Sequence, residues 1–113
     1  MPLIRCLSLC IACLVLQACP APGEGKKAEH GYAVCQPIIE ALERYHQENR
    51  SYPDTLDVLI PEYIEGIPEE VHGYPILYNI TEESYRLRFS YEQPGMNHCD
   101  YMPETGWKCY GYY

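Results

Sequence analysis

Residues 85–91 read YRLRFSY, a stretch in which aromatic or apolar side chains alternate with polar ones. Successive side chains of a β-strand point to opposite faces, so the apolar residues share one face and the two arginines and Ser90 share the other. This pattern is typical of an antiparallel sheet with one buried and one solvated face. Residues 76–80 show the same alternation, and the polar residues 81–84 between the two segments form a plausible tight turn. The sequence therefore predicts a β-hairpin.

Apolar residues recur at helical spacing in the segment before this hairpin. Positions i, i+4, i+8 and i+11 carry apolar or aromatic side chains, the pattern of an amphipathic helix with one buried face. We expect this helix to begin near Glu29, with Pro37 either starting the regular helix at its first turn or kinking a longer one. Residues 49–54 end it. The apolar stripe consists of Val34, Ile38, Leu42 and Tyr45.

Two shorter features complete the predicted elements. A short second helix is expected over residues 56–60, capped by Thr55 or Asp54. Residues 103–106, PETG, predict a type I turn with glycine in a left-handed bulge position. This turn joins a strand that ends near Tyr101 to one that starts directly after the turn. The sequence predicts one α+β domain over residues 30–113, in which an N-terminal amphipathic helix packs on a small antiparallel sheet of three to four strands.

The seven cysteines divide into three groups. Three cysteines lie within residues 1–18, and Cys19 directly follows these residues. Cys99 and Cys109 flank the last predicted turn almost symmetrically, which places them opposite each other and predicts a disulfide. Closing this 11-residue loop contributes somewhat under ~3 kcal/mol in the chain-entropy model. Cys35 is left over, and its helical position favours a buried thiol over an intermolecular or reactive one.

The N-terminal segment has the features of a secretory signal. Arg5 precedes an apolar run that is shorter than the about 20 residues a membrane-spanning helix needs. Residues 16–19, LQAC, resemble the lipobox of bacterial lipoproteins. The resemblance implies that residues 1–18 are a signal peptide, that Cys19 receives diacylglycerol and further acyl chains such as palmitate, and that the mature protein is lipid-anchored. Ordinary signal cleavage and a retained helix are the alternatives.

Residues 19–29 are interpreted as a lipid-anchored flexible tether, because residues 20–27, PAPGEGKK, show no apolar periodicity. The formal net charge is −8, and it becomes −9 when residues 1–18, which carry only Arg5, are removed. This balance argues against nucleic acid and against adhesion to anionic headgroups. The expected partners are membrane lipid, through acylated Cys19, and an envelope protein. The domain would face the periplasm or the cell exterior.

Several short motifs occur in an order that resembles the globular domain of type II secretion major pseudopilins. The resemblance implies a long N-terminal helix on a small antiparallel sheet, with residues 52–53 and 73–75 serving the architecture. Many type IV pilins also close a C-terminal loop with a disulfide. The motifs are ALERY at 41–45, SYP at 51–53, LDVLI at 56–60 with Tyr63, GYPILY at 73–78 and YRL at 85–87.

The chain also departs from the pseudopilin pattern. It has a lipobox where pseudopilins have a prepilin cleavage site and a long apolar helix with an early glutamate. Residues 69–73, EEVHG, replace the usual DPWG, and the calcium-binding loop has no clear counterpart, since Asp100 alone supplies too few oxygens. Pilus-like polymerisation is therefore not expected. A pilin-type head on a lipid anchor describes the chain better.

No catalytic motif is found, and we expect neither an enzyme nor a cofactor or metal site. The four histidines are scattered, without HExxH or CxxC. His98 and Asp100 beside Cys99 are interpreted as solvent-facing residues next to a disulfide cysteine rather than as nucleophilic or metal chemistry. The sequence predicts a noncatalytic envelope lipoprotein that binds a protein partner, with membership of a secretion or pilus-like apparatus as one expectation. A small ligand-binding or hydrolytic lipoprotein with a groove of tyrosines and acidic residues is the alternative.

Overall fold

The computed structural model describes residues 20–112, and within them it has one long helix and two antiparallel sheets. The predicted α+β class is confirmed. The elements are α1 (Lys26–Asn49), the 3₁₀ helix η1 (Leu56–Leu59), β1 (Glu70–Val71), β2 (Tyr74–Pro75), β3 (Leu77–Ile80), β4 (Tyr85–Glu92), β5 (Met96–Met102) and β6 (Gly106–Tyr112).

Helix α1 packs its apolar face against β4. Gly31 permits a close approach, because a Cβ at this position would lie 2.1 Å from an atom of the Phe89 ring. Pro37 lies inside the helix, so the longer of the two predicted helices is the one that forms. The helix ends at Asn49, and the next residue, Arg50, adopts a left-handed conformation with φ of 61° and donates its backbone N–H to the carbonyl of His46. Such a residue is a common way to terminate a helix.

The main sheet has the strand order β3-β4-β5-β6, with every neighbouring pair antiparallel. The predicted alternation along β4 is confirmed, since its apolar face is buried beneath α1. The predicted turn at 103–106 is also present, and Gly106 has a φ of 76°. The buried side chains from the two layers include Ile38, Leu42, Leu87, Phe89 and Tyr91.

A second, two-stranded sheet was not predicted. In it β1 pairs with β2, and both contact β4 beyond the end of β3. The connecting residues His72 and Gly73 have φ values of 55° and 83°. Two successive left-handed residues match the right-handed twist of a two-residue hairpin. The sequence shows no alternation here because each strand is only two residues long, and of the four strand residues only Val71 is buried.

The structure corrects two sequence expectations about the start of the domain. The helix was expected at the N-terminus of the domain from near Glu29, but the described helix spans residues 26–49 and is preceded by an ordered turn. Residues 26–29, assigned to the flexible tether, form the first turn of α1 and bury Ala28.

The predicted second helix is a 3₁₀ helix, and Thr55 precedes it without a side-chain capping hydrogen bond.

Candidate functional site

The two cysteines of the last hairpin lie directly opposite each other. Cys99 on β5 pairs in register with Cys109 on β6, the two Cα atoms are 4.1 Å apart, and a disulfide joins them. Cys99 is fully buried on the sheet face that α1 covers. The bond therefore ties the edge strand β6 to the interior of the sheet.

Cys35 is a free thiol in the buried face of α1. Burial raises the pKa of this thiol to about 12. Only the thiolate is an effective nucleophile or metal ligand, so Cys35 is unreactive at neutral pH in the folded domain. This agrees with the interpretation of Cys35 as a core residue.

Cys19, the expected site of lipidation, lies outside the described residues, and the chain enters the described structure at Pro20. We call residues 20–25 the entry segment. This segment is ordered: the Glu24 N–H donates to the carbonyl of Ala21 at 2.9 Å. Its central residue, Gly23, donates its backbone N–H to Tyr91 Oη at 2.9 Å and accepts from Tyr32 Oη at 2.9 Å.

Gly23 fits a socket that admits no side chain. A Cβ at this position would lie 2.8 Å from Cys109 Sγ and 3.0 Å from Tyr32 Oη, and the φ of 88° is one that side-chain-bearing residues rarely adopt. Tyr32 Oη is itself 3.3 Å from Cys109 Sγ. The disulfide and two tyrosines thus hold the residue four positions after the expected lipidation site.

Strand β3 forms one edge of the main sheet. Within residues 20–112 it pairs with β4 alone. Its four residues, LYNI, include no charge and no proline, and the Leu77 and Ile80 side chains are 43% and 42% exposed. Tyr78 faces inward and donates a 2.6 Å hydrogen bond to the carbonyl of Pro53, which holds the strand against the chain that follows α1.

The sheet face directed away from α1 carries a polar network across β4 and β5. Arg88 binds both carboxylate oxygens of Asp100, at 2.5 Å and 2.9 Å. Ser90 Oγ lies 2.7 Å from His98 Nδ1. Burial and the Arg88 charge lower the pKa of His98, so the ring is held toward its neutral form.

This network corrects one sequence interpretation. Asp100 was expected to face solvent, but it is 6% exposed and its carboxylate is engaged by Arg88. In a Ser-His-Asp triad the aspartate orients the histidine, whereas here both of its oxygens are bound by an arginine. The arrangement therefore cross-links two strands.

Tyrosine and glutamate side chains line an open cleft at the end of the sheet that holds the 81–84 and 103–106 turns. The cleft has a volume of about 810 Å³, and a neighbouring cleft of about 530 Å³ shares the wall formed by Tyr52 and the 81–84 turn. His46 stacks on Tyr52 with ring centroids 4.3 Å apart. Ser84 Oγ donates to Glu104 at 2.6 Å and lowers the pKa of that carboxyl. The glutamates of the first cleft are Glu82, Glu83 and Glu104.

Two other kinds of feature are absent from the described part of the chain. Among residues 20–112, no group of three or more His, Cys, Asp or Glu side chains is arranged to hold a metal ion. Over the same residues, no helix has the length and apolar character needed to cross a bilayer. Comparison of the chain with protein-family models, with curated proteins and with solved structures found no match.

Sequence reasoning missed the two features that the structure makes most prominent. The socket of Gly23 depends on Tyr91, which is 68 residues away, and no local pattern signals such a contact. The exposed edge at β3 depends on strand order, and alternation in the sequence does not reveal which strand is at an edge.

Proposed function

We propose that this protein is a noncatalytic, lipid-anchored envelope protein whose domain binds a protein partner at the β3 edge. The lipobox resemblance of residues 16–19 supports the anchor. The observation that carries the binding function is the exposed, uncharged edge strand at residues 77–80. A secretion or pilus-like apparatus is the proposed setting, on the resemblance to pseudopilin motifs.

The edges of β-sheets in proteins are normally protected against pairing with further strands. An unpaired edge presents backbone N–H and C=O groups that pair readily with another strand, so edges commonly carry charges or prolines. The opposite edge, β6, carries the exposed Lys108, and β2 carries Pro75. Strand β3 contains neither a charged residue nor a proline, and its Leu77 and Ile80 side chains are exposed beside the unpaired edge of its backbone. An edge of this kind suits the addition of an extended peptide strand.

Charge favours a basic partner over a second copy of this chain. The formal net charge is −8, so two copies repel each other. Glu82 and Glu83 lie in the turn after β3, and both are exposed. We therefore propose an extended segment of another envelope protein, with apolar residues that contact Leu77 and Ile80 and basic residues that meet the two glutamates.

Photo-cross-linking from the two sheet edges tests this proposal. A photoreactive residue replaces Leu77 in the membrane-anchored chain, and a matched control replaces Tyr110 on β6, which is 44% exposed against 43% for Leu77. We expect a discrete covalent complex with one other protein from position 77 and none from position 110. The complex should disappear when Ile80→Lys is added, because a charge blocks strand addition.

Three outcomes would overturn the edge as the binding site for a foreign strand. Equal products from both positions would indicate nonspecific collision. A product of twice the chain mass from position 77 would show that a second copy occupies the edge. Absence of any product from position 77 in membranes where the protein is anchored would show that the edge is unoccupied.

The cleft supports a second candidate function, the binding of a small cationic ligand. Its wall combines the Tyr52 ring with the carboxylates of Glu82, Glu83 and Glu104, which complement a positive charge. Spermidine is a suitable probe. Saturable shifts of the amide NMR signals at residues 81–84, lost in Glu83→Gln and kept in Glu62→Gln, would support this function. Shifts spread over all acidic residues would reject it.

A further inference from the structure

The entry segment suggests how the domain sits on the membrane. We infer that residues 20–25 hold the domain directly against the bilayer surface in one orientation, so that the domain does not swing on a flexible tether. This inference rests on the proposed lipidation of Cys19. Its partner is the headgroup layer of the bilayer that carries the acyl chains.

The expected lipidation site is joined directly to a residue that already belongs to the folded domain. Cys19 precedes Pro20 in the sequence, with no residue between them. Pro20 is already half-buried, and its ring packs beside Gly25, where an added Cβ would lie 3.3 Å from the proline Cβ. Between the acylated residue and the folded domain there is therefore no free residue to serve as a spacer.

The entry segment is held on the domain by partly buried hydrogen bonds and by a tight fit around Gly23. Gly23 forms hydrogen bonds to Tyr91 and Tyr32, of which Tyr91 is 1% exposed. A buried hydrogen bond contributes about 0.5–1.5 kcal/mol net, and leaving a buried partner unpaired costs more. Burial, and to a smaller extent the neighbouring Tyr91 and Glu24, raises the pKa of Tyr32 above its ordinary value, so its hydroxyl is protonated and can donate throughout the neutral range. The tight socket around Gly23 leaves the segment little room to shift.

The surface around the entry segment is the one that faces the bilayer. Lys26 and Lys27 follow the entry segment and are exposed on the first turn of α1. Lys27 donates to the carbonyl of Glu92 at 2.8 Å, and Lys27 O lies 3.0 Å from His72 Nε2. The start of α1, the end of β4 and the β1–β2 turn thus meet at the end of the domain that the anchor enters, and this end faces the headgroups.

Helix orientation on a supported bilayer tests the inference. The acylated full chain is bound to a bilayer, and polarised infrared absorption of the amide I band reports the tilt of α1, the long helix of the described domain. We expect a dichroic ratio that departs from the isotropic value. Insertion of a ten-residue Gly-Ser spacer between Cys19 and Pro20 should return the ratio to isotropic, because the spacer leaves every contact of the entry segment in place but lets the domain turn.

Two glycine variants supply the matched comparison. Gly23→Ala places a Cβ against Cys109 Sγ at a left-handed φ, and it should release the entry segment and remove the dichroism. Gly66→Ala, where a Cβ meets nothing within 4 Å, should keep it. If circular dichroism shows that Gly23→Ala is unfolded, Tyr32→Phe replaces it; this variant removes the donor to Gly23 but keeps the ring, and it should raise amide hydrogen exchange at residues 23–24 at least several-fold.

The outcomes separate this inference from the lipid anchor itself. Retention on the bilayer after a carbonate wash is measured first, with Cys19→Ser as the unanchored control. Failure of the wild-type chain to be acylated and retained overturns both proposals. A retained wild-type domain with an isotropic ratio, or with the same ratio as the spacer variant, overturns the fixed orientation and leaves the anchor standing.

Discussion

The contact between Gly31 and Phe89 gives the most direct test of the packing between α1 and the sheet. Substitution of Gly31 by alanine has two opposing effects. Alanine is favoured over glycine inside a helix by about 1 kcal/mol. Against this, the new Cβ would lie 2.1–2.4 Å from three atoms of the Phe89 ring, where real Cβ contacts are never closer than about 3.0 Å.

The steric effect should exceed the helix-propensity gain. Phe89 is fully buried and contacts the rings of Tyr32, Tyr91 and Trp107, so it cannot move without displacing its neighbours. Overpacking of this kind typically costs about 1–3 kcal/mol, and more when a rigid ring is trapped. Because the Phe89 ring is trapped, we expect a cost in the upper part of this range, about 2–3 kcal/mol, and subtracting the propensity gain of about 1 kcal/mol leaves a net destabilisation of about 1–2 kcal/mol. For a domain of about 95 residues this lowers Tm by roughly 4–16 °C.

Urea unfolding of residues 20–113, followed by circular dichroism, measures the effect. Gly66→Ala is the control, since its Cβ meets no atom within 4 Å, and an added methyl in a loop reduces the entropy of the unfolded chain. We expect Gly31→Ala to have a lower free energy of unfolding than the wild type and the control to equal or exceed it. A Gly31→Ala domain as stable as the wild type would refute the packing between α1 and β4 described above.

Three further predictions follow from the cysteines and from the chain's charge. Cys19→Ser should abolish acyl labelling in cells. Mass spectrometry that finds an unmodified Cys19 at the mature N-terminus would contradict the prediction of a lipobox. Nonreducing peptide mapping should give a linked Cys99–Cys109 peptide, with Cys35 alkylated only after unfolding; a Cys35 link to either partner would be incompatible with the β5–β6 register. Residues 20–113 should elute from size-exclusion chromatography without polymerising under reducing or nonreducing conditions, and light scattering that detects filaments would show that the pseudopilin resemblance extends to assembly.

The sequence predicted best those elements that bury one complete face. β4 has eight residues, and its alternate side chains are buried beneath α1, so the alternation of YRLRFSY reflects the structure directly. The β5–β6 hairpin was predicted from a turn motif and from two cysteines at matched distances from it. In both cases a local sequence pattern and a tertiary requirement predict the same register. For β4 the requirement is burial of one face, and for the β5–β6 hairpin it is the disulfide between the two strands.

The ordered conformation of the entry segment was not predicted, because glycine and proline occur both in flexible linkers and in tightly packed turns. The composition of the entry segment predicts flexibility, since Pro22, Gly23 and Gly25 resist regular structure. In the structure, Gly23 and Gly25 have φ values of 88° and 96°, conformations that allow the chain to turn into a tight socket. Composition alone does not distinguish a glycine needed for its left-handed φ from one in a mobile linker. The distinction depends on contacts with Tyr91 and Cys109, which lie far away in the sequence, and on their combination with the nearer Tyr32.

The geometry of β4 connects the two proposals made for this molecule. β4 is eight residues long and rises about 3.3 Å per residue, so roughly 23 Å separate its two ends. Tyr91, next to the last residue of β4, accepts a hydrogen bond from Gly23 of the entry segment, whereas β3 pairs with the opposite half of the strand, residues 85–88. A domain held on the bilayer by its entry segment therefore carries the open β3 edge on the half that is farther from the membrane. The same domain on a long tether would present that edge at every height and angle, so a fixed orientation would favour a partner that is itself fixed in the envelope.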